Sequence, residues 1–279
     1  MLDFKILSWI AIILSSLSIM FSLPMICLYL FYQPLKTFPG RLMLGISCSN
    51  FFINVNYLIT CSYFTSEGSF LDGLTCEILG FCMNFFEVFN AFLILTISGC
   101  LYVSICLNMD PDIHERTIWR SLVIASTFLS IIPLTQNDFG NSDQIQCWIC
   151  NNETALWTFY MPILLIFVCI LVFLFKCYQF LGNDFKKTAF LFILPLVFLT
   201  AYILPISRRV VVLFDEDNGS LNSLYYLSYS LFLSKGIFDT LAYCYLNNFL
   251  KQKISNYFHC RASEKLEENN SNLETIINN

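Results

Sequence analysis

The 279-residue sequence is poor in charge: Asp, Glu, Lys and Arg together make 13% of it, where an ordinary globular domain carries about a quarter. It has two histidines, His114 and His259, far apart in sequence. No HExxH, GxSxG or phosphate-loop spacing occurs, so no catalytic residue, metal site or cofactor is expected. Basic excess is also lacking; the net charge of −5 argues against a nucleic-acid partner. There is no internal repeat, which weakens a transporter reading. What the sequence has instead is apolar surface. Hydrophobic residues reach 57%, 29 of them Phe, and mean hydropathy is +0.65. A soluble chain of this size has too little interior to hide that much, so composition excludes a soluble enzyme and a disordered chain and implies a polytopic membrane protein.

Crossing the hydrocarbon core takes about 20 apolar residues per helix. Seven runs qualify: 6–32, 42–63, 74–107, 118–134, 155–178, 188–213 and 224–246. The fourth is short. The runs lack alternation of period two, and lipid requires each segment to satisfy its own backbone, so helices are expected. The first run is too long for a signal-peptide core and has no small-x-small site after it, so it reads as a retained helix. The expected fold is all-α: a seven-transmembrane bundle over 1–246, a short amphipathic eighth helix over 247–260 and a disordered tail over 261–279. In the eighth helix Leu250, Ile254, Tyr257 and Phe258 share one face, which would lie on membrane lipids. Cys260 closes it and is a candidate for palmitoylation, against the alternative of an unmodified thiol.

Eleven of the fifteen basic residues fall on one side of these spans. The positive-inside rule then puts the N-terminus outside. The sequons at Asn152 and Asn218 fall in loops that this topology makes extracellular. Cys76, at the outer start of the third span, and Cys147, in the second outer loop, face the same oxidising side. A Cys76–Cys147 bridge is expected, with Cys150 competing for Cys76; the remaining cysteines read as small apolar fillers.

Charges inside spans carry the functional signal. Helix 3 holds Glu77 near its outer end and Glu87 deep inside; helix 7 holds Lys235 and Asp239, one turn apart. Buried ionisable groups face the bundle interior and pair. Lys235 is expected to bridge to Asp239 and to reach Glu87 across the bundle, as a ligand site or activation lock. The plainer alternative is a self-contained Lys235–Asp239 pair that fixes helix packing. Arg208 and Arg209 near the outer end of helix 6 suit an anionic ligand, or else headgroups and the acidic residues 215–217. Pro133, Pro162, Pro195 and Pro205 fall in or near spans and suit helices that bend.

Four motifs carry a family resemblance. Helix 3 reads CEILGFCMNFFEVFNAFLILTISGCLY, the second outer loop has CWI with Trp148 after Cys147, helix 6 reads LPLVFLTAYILPISRR, and helix 7 reads KGIFDTLAYCYLN. In this order and topology they resemble the cyclic-AMP-receptor-like and secretin-like G-protein-coupled receptors. Lys235 stands where that pattern has glutamine, and Asp239 is a second departure. The hormone-binding ectodomain of secretin receptors is missing, as are the rhodopsin-type signatures of helices 3 and 7. A Schiff base on Lys235 with Glu87 or Asp239 as counter-ion is the chemistry of a retinal protein, but the spacing from Lys235 to Tyr243 matches the glutamine position instead. The resemblance implies a plasma-membrane receptor for a small extracellular ligand, of anionic character if the arginines bind it. Its partner would be a heterotrimeric G protein, held by segments 108–120 and 176–187 with the start of the eighth helix. Trp148, Glu87, Lys235, Asp239, Arg208 and Arg209 would form the ligand site or lock. The runner-up is a small proton-coupled carrier using Glu87, Lys235 and Asp239.

Overall fold

The computed structural model describes residues 2–31, 38–141, 146–182, 192–214, 227 and 229–243; the side chains of 2–4, 39, 204–206 and 208–214 lie outside that description. The chain divides into a unit Met1–Thr240 and a unit Leu241–Asn279. Of the second, the described residues 241–243 are helical. The expected eighth helix and tail, with Cys260, lie outside the described residues, as does Asn218.

Among its described residues the first unit is helical apart from one hairpin and short connecting turns. Its elements are α1 (Leu2–Phe31), α2 (Phe38–Glu67), α3 (Gly73–Cys106), α4 (Glu115–Thr135), α5 (Asn152–Leu181), α6 (Ile193–Phe214) and α7 (229–240). A 3₁₀ turn, Pro111–His114, leads into α4. Among the described residues five helical runs are long and apolar enough to cross a membrane: those of α1, α2 and α3, the continuous run Pro111–Thr135 that contains α4, and α5. The fourth run, short in the sequence, gains a turn at its start in this way. In α6 the apolar stretch is Ile193–Ile203.

α1 is built inside out relative to a helix of a soluble protein. On α1 the buried stripe is Leu7, Ser8, Ala11, Ser15, Ser18, Ser22 and Met25, while Trp9, Ile13, Met20 and Leu28 point outward. Lipid tails solvate large apolar side chains as well as a protein core does, so helix association rests on close approach and hydrogen bonds instead. Small residues supply the approach. Ser18 donates to the Leu233 carbonyl at 2.8 Å, and a Cβ on Gly236 would fall 2.7 Å from Ser18 Oγ. Gly236 is what lets α7 lie against α1.

α3 is the central helix, touching α2, α4, α5, α6 and the hairpin. Its 34 residues span about 50 Å. The hairpin pairs β1 (Phe139–Asn141) antiparallel with β2 (Cys147–Ile149), a small departure from an all-α chain. It lies over the start of α3, where Phe139 covers Gly80. α5 begins with Asn151 capping the Glu153 N–H at 3.0 Å. It then widens into a π segment, Leu156–Tyr160. Pro162 comes two residues after its end; its ring excludes the ordinary carbonyl four residues back, and the wider turn absorbs the misfit. Pro195 sits in the first turn of α6, where a backbone N–H would have no intrahelical acceptor and its loss costs no bond.

Gly80 tests the seating of the hairpin. A Cβ there would lie 2.8 Å from the Phe139 ring, so Gly80→Val is expected to destabilise the fold by about 1–3 kcal/mol through overpacking. Adding Phe139→Ala should cost less than the sum of the two single changes, because both act on one contact. Thermal unfolding of the detergent-solubilised protein reads this directly.

Candidate polar lock in the helix core

Lys235 and Asp239 are 3% and 2% exposed, deep among apolar helices. An ammonium without water must find three acceptors. Lys235 Nζ donates to Asn90 Oδ1 at 2.6 Å, to Asp239 Oδ2 at 3.0 Å and to Asn50 Oδ1 at 3.3 Å. Asn50 Nδ2 donates to Asp239 Oδ2 at 2.8 Å, and Asn90 Nδ2 donates to Asn50 Oδ1 at 2.9 Å. Four side chains from α2, α3 and α7 thus form one closed network. Asn54 on α2 donates to the Asn50 carbonyl at 2.7 Å and steadies that turn. From α6, the Phe198 ring centre lies 6.0 Å from Nζ, within cation–π range.

Glu87 stands apart from this arrangement. It is buried on α3, in electrostatic reach of Lys235. Yet among the described residues it makes no hydrogen bond or ion pair. The expected direct bridge from Lys235 to Glu87 is absent; the two asparagine carbonyls occupy the donors it would have used. Among the buried oxygens without a partner are Asp239 Oδ1 and the Tyr202 hydroxyl, and Tyr202 lies in electrostatic reach of both Glu87 and Asp239. The cluster holds two carboxyl groups for one ammonium, with spare acceptors on the side of α6.

Asn50 and Asn90 were not singled out in the sequence. Their signal was present: an amide within a long apolar run is expensive in lipid unless it bonds to another helix. The rule for charged residues led to the lysine and the acids but passed over their neutral partners.

At one end of the bundle Cys76 is joined to Cys147 by a disulfide, 71 residues apart in sequence. Cys150, with Cys147 in a Cys-x-x-Cys spacing, stands outside the disulfide, and its N–H bonds to the Asp138 carbonyl at 2.7 Å. Trp148 is buried between them, edge-on to Phe159 with ring centres 4.9 Å apart. Trp148 therefore anchors the hairpin to α5 and is not near Lys235 in the network. Asn152 is exposed on the first turn of α5, while Thr154 of the same sequon is buried and donates to Gln136 and Asp138. Glu77 is half-buried near the start of α3. Arg208 and Arg209 fall on α6, and their side chains lie outside the described residues. Arg41 and Glu115 pair at 2.9 Å near the other end of the bundle; a partly exposed pair of this kind contributes about 0–1 kcal/mol.

Comparison of the chain with protein-family models and with curated protein sequences gives no match in either.

Two substitution sets probe these features. Lys235→Met leaves Asp239 buried without its counter-charge, which is expected to destabilise by about 3–5 kcal/mol. Lys235→Met with Asp239→Leu should recover most of that, since no unpaired charge remains. Thermal midpoints and expression level distinguish the two. Separately, Cys76→Ser and Cys147→Ser should each destabilise by about 4 kcal/mol through the freed loop entropy, and the double variant should match either single one. A double variant much weaker than both would mean that the thiols serve separate roles.

Proposed function

We propose that this chain is a seven-helix receptor of the plasma membrane, N-terminus outside, that binds a small extracellular ligand and activates a heterotrimeric G protein. The observation that carries the reading is the closed Lys235–Asp239–Asn50–Asn90 network across α2, α3 and α7. Such a network has one geometry in which every ammonium donor is satisfied. A shift of α7 by an ångström or two against α2 and α3 breaks several bonds at once, so the element is bistable rather than continuously deformable. A ligand that prefers the broken arrangement shifts the population toward it.

The motif resemblance and the disulfide-tethered hairpin at one end support the same reading. The ligand enters from that end, beneath the hairpin, and G protein meets the opposite one through 108–120 and 176–187. Because Lys235 has all three donors engaged, an anionic ligand would be held by Arg208 and Arg209, with Lys235 released only on switching.

A carrier is the second reading. It is favoured by one observation, the buried Glu87 that makes no ion pair beside the network. A carboxyl group so placed can take up and release a proton as the helices move.

The deciding experiment reconstitutes the purified chain with heterotrimeric G proteins of its host and supplies host extracts as ligand source. Accelerated nucleotide exchange is expected, and Asn90→Leu, which removes the shortest Lys235 bond, should raise exchange without ligand several-fold. An absence of exchange with every G protein, together with pH-coupled flux in liposomes, would replace the receptor by the carrier.

A further inference from the structure

α3 and the β2–α5 segment run side by side in the same direction with a constant offset. Cys76 meets Cys147 across 71 residues of sequence. Tyr102 stacks on Phe173 with ring centres 5.4 Å apart, again at that offset. One turn further on, Cys106 Sγ lies 3.9 Å from Cys177 Sγ, also 71 residues away. The disulfide and the thiol pair are thus the two ends of one seam. Thirty residues of helix at 1.5 Å each separate them by about 45 Å, more than the hydrocarbon thickness. In a membrane the two pairs sit at opposite faces, one in an oxidising compartment and one in a reducing compartment.

We propose that Cys106 and Cys177 are a reversible redox pair, oxidised by hydrogen peroxide to a disulfide that ties the end of α3 to α5. Both are free thiols here. A disulfide needs its sulfurs at about 2.05 Å, so they must approach by a little under 2 Å. The end of α3 can supply that movement: Cys106 is its last residue, and Asn108 turns the chain out of the helix at φ 51°. The Tyr102–Phe173 stack, one turn before, keeps the two sulfurs facing while they close.

The chemistry has an order. Cys106 is half-buried and Cys177 is 1% exposed, so Cys106 meets the oxidant. Its sulfur attacks the peroxide O–O bond, forming a sulfenic acid and releasing water once the proton is returned. The Cys177 thiol then displaces the sulfenic oxygen: the S–S bond forms, the S–O bond breaks, and a second water leaves. Two thiols give two electrons to one peroxide, and glutathione or another thiol reverses the step. No set of three metal-ligating side chains occurs among the described residues, so the pair is not part of a thiolate metal site there.

Membranes carrying the intact chain are treated with hydrogen peroxide, quenched with N-ethylmaleimide and digested without reduction. Mass spectrometry should show the Cys106–Cys177 peptide pair rising from trace to the main form, with matching loss of both alkylated peptides. Dithiothreitol at a concentration that spares Cys76–Cys147 should reverse it. In Cys177→Ser the link must vanish and Cys106 must carry a sulfenic-acid label instead. Both thiols staying alkylatable, Cys106 linking to Cys100, or a link already complete before peroxide and stable to glutathione would each overturn the proposal. The assay uses no ligand and no G protein, so its outcome is separate from that of the receptor reading.

Discussion

An ammonium group in an apolar interior demands acceptors, and the rest of this bundle is arranged around that demand. The Born cost of an unpaired buried charge is far larger than any single packing contact. Lys235 meets it with one carboxylate oxygen and two amide oxygens drawn from three helices. Asn50 is the hinge of this arrangement, since its carbonyl oxygen accepts from Lys235 and Asn90 while its amide donates to Asp239. The network therefore fixes the depth of α7 relative to α2 and α3, and Ser18 fixes α7 to α1 by a bond to the Leu233 carbonyl.

The same demand explains why serines and asparagines are buried beside the apolar core while many large apolar side chains lie outside. In lipid, burying Leu or Phe against another helix gains little, because the solvent outside is equally apolar. Contacts that discriminate one arrangement from another must come from hydrogen bonds and from surfaces without bulky side chains. The serine stripe of α1 and Gly236 of α7 provide the second kind; Asn56, whose amide donates to the Leu79 carbonyl at 2.6 Å, and Asn84, whose amide donates to Ser130 at 3.2 Å, provide the first. Aromatic pairs fill what remains, as where Tyr202 packs on Phe198 and Phe232.

α3 links the network to both ends of the molecule. Its first turns carry the disulfide and the hairpin, its middle carries Asn90 and Glu87, and its last turn carries Cys106. A helix is stiff along its axis, so a displacement at either end reaches the middle with little loss. Both cysteine pairs therefore lie on the helix that carries Asn90, each several turns from the lysine.

Much of this could be read from composition and periodicity. Apolar runs longer than 20 residues announce helices wherever they occur, because lipid allows a chain no other way to satisfy its backbone. The positions of α1 to α5 were accessible for that reason, and the rarity of charge within spans singled out Glu87, Lys235 and Asp239. Lys235 and Asp239 are one turn apart, so their pairing follows from helix geometry alone. What the linear chain could not decide was which groups on other helices complete the lysine's shell. Glu87 and Asn90 lie on the same helix within a turn of each other, and charge favoured the glutamate; rotation of α3 about its axis, set by how its small and large faces seat against α2, α4 and α5, delivered the asparagine. Nor could it reveal that Cys106 faces Cys177, because that register depends on two helices running parallel from the point where Cys76 and Cys147 are joined. Apolar runs and intramembrane charge thus specify the helices and the need to compensate a buried ammonium, while the partners come from the fold, because rotation and register between helices are properties of their mutual contacts and leave no trace in the periodicity of either one.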